Sequence, residues 1–169
     1  PMLYYKKAMA MADQIREMNG HDAVSTVSQL LDLNLVISGQ GHIPKTGGFI
    51  LAANHPTGIA DGIAVWDALS PIRPDMAIFT NRDALRVCEG LRDILIPVEW
   101  AEDKKSHAKA RDMLRQTSNA FEQGRAVVLF PSGRLAAWDK KKKALQERPW
   151  QPTLITLARK YDVPIIPLK

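Results

Sequence analysis

Apolar positions recur every three or four residues over the first 34 residues of this chain and then change period. In 3–18, Tyr4, Ala8, Met11, Ile15 and Met18 keep helical spacing, while Lys6, Lys7, Asp13, Gln14, Arg16 and Glu17 fall largely on other faces. Asn19-Gly20 reads as a helix stop. A second helix from Asp22 places Ala23, Val27, Leu30 and Leu31 on one side. The pair is either a helical hairpin packed on a core or an interfacial foot on a membrane.

Past Leu33 the pattern predicts strands at 35–37 and 49–53, the second a continuous apolar run of the kind buried on both faces. A helix over 60–69 stops at Ser70-Pro71. Strands follow at 76–80 and 94–98, with a short helix between them. The strongest helix runs over 103–123, with Ala110, Met113, Leu114, Thr117, Ala120 and Phe121 on one face and Gly124 at its end. A strand at 126–130, a helix at 153–160 and a strand at 163–168 complete the chain. Strands alternating with helices predict an α/β fold over 35–169, a largely parallel sheet covered by helices, preceded by the two-helix segment 1–34.

A chain of 169 residues suits one hydrophobic core. The formal charge of +5 favours anionic partners without choosing among phosphate groups, acidic lipid and nucleic acid. The charges are scattered and no nucleic-acid motif is visible, so no nucleic-acid partner is expected. The single cysteine, Cys88, excludes a disulfide framework. It sits in the apolar rhythm of a short helix with no His nearby in sequence, which favours a packed thiol over a nucleophile. No run of about eighteen apolar residues offers a bilayer span, and no signal-peptide pattern is visible. The chain opens at Pro1 and closes at Leu168-Lys169, directly after a core-like strand, so a piece trimmed at its C-terminus is expected.

Three segments carry candidate chemistry. The first is Asn54-His55-Pro56-Thr57-Gly58-Ile59-Ala60-Asp61-Gly62, between a buried strand and a helix. Loops at the carboxyl ends of strands are where such sheets bind ligands. A His with an Asp is a general-base pair: the carboxylate fixes the imidazole tautomer and stabilises the imidazolium. His55 could then deprotonate a hydroxyl attacking a thioester carbonyl. The plainer alternative is a capping Asp61 and a loop His55. The second segment is Phe130-Pro131-Ser132-Gly133-Arg134, also after a strand. Exposed backbone N–H groups and the Arg134 cation suit a phosphate or a developing oxyanion; an ordinary turn is the alternative. No G-x-S-x-G elbow is present to make Ser132 a nucleophile. The third is Val163-Pro164-Ile165-Ile166-Pro167-Leu168, whose two prolines argue for a short, stiff strand near an edge. One His and one carboxylate, with no further His or Cys at ligand distance, predict a site without a metal.

Taken in order, these segments resemble the glycerol-phosphate and lysophosphatidic acid acyltransferase family, whose pattern is N-H-x-x-x-x-D, then F-P-E-G-T-R, then V-P-I-x-P, each after or within a strand. The similarity runs from about Leu35 to Lys169 and is carried by Asn54-His55…Asp61, Phe130-Pro131-Ser132-Gly133 and Val163-Pro164-Ile165-Ile166-Pro167. It implies an acyl-CoA or acyl-carrier-protein donor, a lysolipid acceptor, no other cofactor, and a His55–Asp61 pair acting without a covalent acyl-enzyme. It also implies substrate binding by Asn54, Thr57, Gly58, Ser132, Gly133 and Arg134.

The departures are specific. Five residues separate His55 from Asp61 where the family has four, and N-H-P-x-G-x-x-D-G resembles a divergent hemolysin-like branch. Ser132 stands where the family has Glu, Arg134 where it has Thr, and Leu135 where it has Arg. A middle-block Arg is missing after 94–98, where Glu99-Trp100 follows, and Arg82, Arg86 and Arg92 are candidates to replace it. These changes bear on the acceptor more than on the reaction, and an amino-acid-containing lysolipid is one option. Trp138 before Asp139 and the lysines at 140–143 suits the headgroup region of an anionic bilayer, or else a solvated loop with a partly buried Trp. A peripheral place on the cytoplasmic face of a membrane is expected. Hydrolysis at the same pair and non-catalytic lipid binding are the rival functions.

Overall fold

The structure, a computed structural model, describes residues 2–99 and 106–169, with side chains from Lys6 onward. Trp100 and the first residues of the helix expected at 103–123 lie outside the described residues. Helix α1 spans Met2–Ile15 and α2 spans Gly20–Leu31. Asn19 does not stop α1 but starts α2: its Oδ1 accepts from Asp22 N at 2.9 Å, the contact that makes Asn a good N-cap. The apolar stripes of both helices are buried only in part, at Ile15, Ala23 and Val27; Leu30 and Leu31 are exposed.

Strand β1 is Phe49–Ala53, buried at every position. No strand forms at 35–37; Val36 is 99% exposed. The segment lies in neither sheet, and without a paired neighbour its apolar residues form no ladder. Helix α3 is Ile59–Leu69, β2 is Met76–Asn81, and the short helix α4 is Ala84–Val87. A 3-10 turn at Glu89–Asp93 leads into β3, Leu95–Val98. Cys88 is buried and its thiol faces Met18 O at 3.3 Å, the packed role. Helix α5 is His107–Glu122, ended by Gly124 at φ +67. Thr117, Ala120 and Phe121 are buried, but Ala110 and Leu114, expected on the same face, are exposed. Strand β4 is Ala126–Leu129, β5 is Ala137–Asp139, β6 is Ala144–Gln146, α6 is Thr153–Tyr161 and β7 is Ile165–Leu168.

The described residues form two compact units. One takes the chain to Asn34 and Phe79–Thr117; the other takes Leu35–Ile78 and Ser118–Lys169. The main sheet has the order β3-β2-β4-β1-β7. Pairings β2–β4, β4–β1 and β1–β7 are parallel, as the alternation of strands and helices predicts. Strand β1 has neighbours on both sides, which explains its unbroken apolar run. Strand β7 is at an edge, where Pro167, opposite Ala52, has no N–H to waste on a missing neighbour. Strands β5 and β6 form a separate antiparallel hairpin.

At the amino ends of β1, β2 and β4, Arg73 is 3% exposed and uses its whole guanidinium. It forks onto Asp75 with two 2.8 Å bonds and donates to the carbonyls of Pro44, Gly47 and Gly124 at 2.7–3.0 Å. That pair holds the Asp75 carboxyl below its ordinary value. Arg125 adds bonds to the carbonyls of Asp75 and Met76.

Candidate active site

The opposite end of the sheet carries the chemistry. The register Ala52↔Leu129 places the residues following β1 and β4 side by side. His55 and Phe130 therefore meet, with rings stacked at 4.4 Å and 26°. One flat face of the imidazole is thus covered, which limits its rotation.

Asp61 comes from the first turn of α3 and reaches back over the loop. Its Oδ2 lies 3.0 Å from His55 Nδ1 and accepts from Thr57 N at 2.9 Å and Gly58 N at 2.8 Å. Its Oδ1 accepts from the Thr57 hydroxyl at 2.5 Å. The capping role and the orienting role, alternatives in the sequence, are held by one carboxylate at once. A carboxylate only accepts, so in a neutral ring this contact favours the tautomer with its proton on Nδ1 and a lone pair on Nε2. The His55 and Asp61 side chains are 21% and 13% exposed, so the pair is largely but not fully buried. Gly58 adopts φ +94 as the N-cap of α3, a conformation that side chains resist.

The loop after β4 runs beside this one. Ala136 N donates to His55 O at 2.9 Å, and Leu135 lies over Gly58. Gly133, at φ +65, closes a turn through its N–H to Phe130 O at 2.9 Å. Ser132 is 3% exposed and its hydroxyl donates to Arg134 O at 3.0 Å, so it shapes the loop. Arg134 is exposed, and its guanidinium has no hydrogen bond or ion pair among the described residues. Thr57 points into the loop's own network at Asp61, while the Asn54 amide leaves the loop to donate to Glu147. The other candidate cations serve other carboxylates: Arg82 lies 3.6 Å from Asp112, Arg86 3.5 Å from Asp83, and Arg92 2.6 Å from Glu89.

Two features escaped the sequence. Glu147, after β6, accepts from Asn54 Nδ2 and from His55 N, the latter at 3.1 Å. The lysines at 140–143 are exposed and form the turn of the β5–β6 hairpin. Asp139 Oδ1 organises that turn by accepting from the backbone of Lys141 and Lys142 at 2.8 and 3.0 Å. Trp138 is not partly buried but 61% exposed, paired across the hairpin with Leu145 at 50%. Strands of three residues leave too short an alternation to recognise.

Comparison with known proteins follows the same lines. The chain matches the family described as Acyltransferase over residues 34–169. It is 23% identical over 168 residues to the lyso-glycine lipid O-acyltransferase of Bacteroides thetaiotaomicron, covering 94% of this chain and 59% of that protein. The chain thus spans somewhat over half the length of this curated relative. Among solved structures it is similar to the 1-acyl-sn-glycerophosphate (LPA) acyltransferase PlsC of Thermotoga maritima. The TM-score is 0.57 at 18% identity, over 98% of this chain and 65% of that one, a likeness of fold.

Proposed function

Since the chain belongs to the acyltransferase family, we propose that it moves a fatty acyl group from a thioester, acyl-CoA or acyl-carrier protein, to the hydroxyl of a lysolipid. The observation that carries this reading is the His55 Nδ1–Asp61 contact of 3.0 Å at the carboxyl end of the central strand, which suits a neutral ring protonated on Nδ1 with Nε2 as the base. His55 Nε2 takes the proton of the acceptor hydroxyl as its oxygen attacks the thioester carbonyl. The new C–O bond forms, the C–S bond breaks, and the leaving thiolate recovers the proton from the imidazolium. Asp61 balances the positive charge while it exists. No covalent acyl-enzyme, cofactor or metal is part of this scheme.

For the acceptor, 1-acylglycerol 3-phosphate and a lysolipid with an amino-acid headgroup both present an anion to the exposed Arg134. The relative named as a lyso-glycine lipid O-acyltransferase supports the second. Membrane contact suits an acceptor too apolar to travel through water. The exposed Trp138–Leu145 pair beside four turn lysines supports a peripheral site on an anionic, cytoplasmic membrane face. No described helix is long and apolar enough to cross a membrane.

Mass spectrometry of products tests the proposal, with palmitoyl-CoA or palmitoyl-acyl-carrier protein offered against lysophosphatidic acid and lyso-glycine lipid. The expected product is the acylated lipid, with one thiol released per transfer, in the presence of a strong chelator. His55→Ala is expected to lower the rate by about 10²–10⁴-fold at unchanged melting temperature. Free fatty acid alone, or full turnover in a folded His55→Ala variant, refutes the proposal.

A further inference from the structure

We propose that Glu147 is the positioning residue of the catalytic loop, setting the place of His55 through its backbone. This rests on the acyltransferase reading above and adds a residue to its machinery. Glu147 lies 92 residues from His55 in sequence and belongs to none of the three motifs. Its two carboxylate oxygens take two different donors, the Asn54 side-chain amide and the His55 peptide N–H. Both donors are N–H groups of consecutive residues at the end of β1. Only a carboxylate offers two acceptors and no donor in that space.

The second half of the grip comes from the other end of the same hairpin. Ala136, just before β5, donates to His55 O at 2.9 Å, while Glu147 follows β6 directly. The N–H and C=O of His55 are therefore both held by the root of the β5–β6 hairpin. Asp61 and Phe130 fix the ring, but they do so relative to a backbone that Glu147 and Ala136 hold. Freed from Glu147, the 54–55 peptide can turn and carry the imidazole with it. A displacement of about 1 Å at a reacting group costs on the order of 10²-fold in rate. The loss belongs in kcat, because nothing that binds the thioester is removed.

The order expected is wild type above Glu147→Asp, with Glu147→Gln and Glu147→Ala lowest. Asp keeps both acceptors on a shorter stem. Gln turns one acceptor into an NH2 that meets a donor. The experiment measures kcat and both KM values with palmitoyl-CoA and the better of the two lysolipids named above, together with thermal melts. In parallel, the ring nitrogens of the four histidines are followed by NMR on 15N-histidine protein, with His55→Ala assigning the signal. The expected result for Glu147→Ala is a fall in kcat of about ten- to a hundred-fold. The donor KM stays the same, and the His55 signal alone moves toward tautomer-averaged values. Asn54→Ala and Glu147→Ala are expected not to add in the double variant. If Glu147→Ala does not fold, Glu147→Gln carries the same comparison. Wild-type kcat with an unmoved His55 signal in both variants overturns the assignment. So does a uniform change in kcat, both KM values and all histidine signals, which marks a purely structural carboxylate. His55→Ala keeps the two proposals apart: if it is inactive while the Glu147 variants are normal, only this inference fails. The NMR comparison needs no turnover at all.

Discussion

Replacing Asp61 with Asn separates two roles that one carboxylate performs. Oδ2 accepts from His55 Nδ1, Thr57 N and Gly58 N at 2.8–3.0 Å, while Oδ1 accepts only from the Thr57 hydroxyl at 2.5 Å. An asparagine with its carbonyl oxygen in the Oδ2 position keeps the first three contacts. Its NH2 then meets the Thr57 hydroxyl, which rotates from donor to acceptor. The structural loss is mainly the negative charge in the first turn of α3, about 0.3–1 kcal/mol. At about 2–4 °C per kcal/mol, the melting temperature falls by at most about 4 °C. In the proposed mechanism the chemistry loses more, because the imidazolium would form without a counter-charge. A hydrogen bond to a charged group contributes about 1.5–3 kcal/mol, which is about ten- to 150-fold in kcat. If the amide turns its NH2 toward the ring, the wrong tautomer is fixed and the loss grows toward about 10⁴-fold. Asp61→Ala is the contrast: it leaves the Thr57 and Gly58 N–H groups without their acceptor and removes the cap as well, about 1–2 kcal/mol. Thiol release from palmitoyl-CoA with lysolipid present, and circular-dichroism melts, measure both variants. A kcat for Asp61→Asn within about threefold of wild type would refute the counter-charge argument. A melting temperature as low as that of Asp61→Ala would refute the reassignment of hydrogen bonds.

Arg73→Leu leaves Asp75 and three carbonyls without their donor, and is expected to lower stability by about 3 kcal/mol, toward the low end for a buried ion because Asp75 is partly solvated; calorimetry should show a fall of about 6–12 °C. Because Arg73 holds the Asp75 carboxyl below its ordinary value of 3.8, the pair's stabilisation is complete above that pH and is lost as pH falls through the folded-state value. The stability gap between wild type and Asp75→Asn should therefore close on acidification below 3.8, and a gap that widens there contradicts the pairing. Arg134→Ala is expected to raise the acceptor KM by about ten- to a hundred-fold, with Arg134→Lys restoring part because an ammonium lacks the planar fork. Donor and acceptor kinetics falling together with the melting temperature would instead give Arg134 a structural role.

Local pattern carried much of this protein. The run Phe49–Ala53 announced a strand buried on both faces, and it is the central β1. The prolines of 163–168 announced an edge, and β7 is one. His55 and Asp61 lie six residues apart, so one loop and one helix turn bring them together, and their pairing was legible. Apolar period alone misled at 35–37 and at Leu114, where the same spacing occurs without a partner to bury it. Short elements were lost for the opposite reason: the three-residue strands of the hairpin carry too little period to recognise.

The sequence by itself thus determined most of the longer elements, the α/β class and the closeness of His55 to Asp61, because each depends on residues within a few positions of one another. Tertiary structure alone decided what meets across long separations. Arg73 collects carbonyls from segments 29 and 51 residues away, and Glu147 reaches Asn54 across 93. A charged side chain in a polar stretch looks the same whether it faces water or a buried carbonyl. Only the register of β1 against β4 and the folding back of the hairpin bring its partner within hydrogen-bond distance.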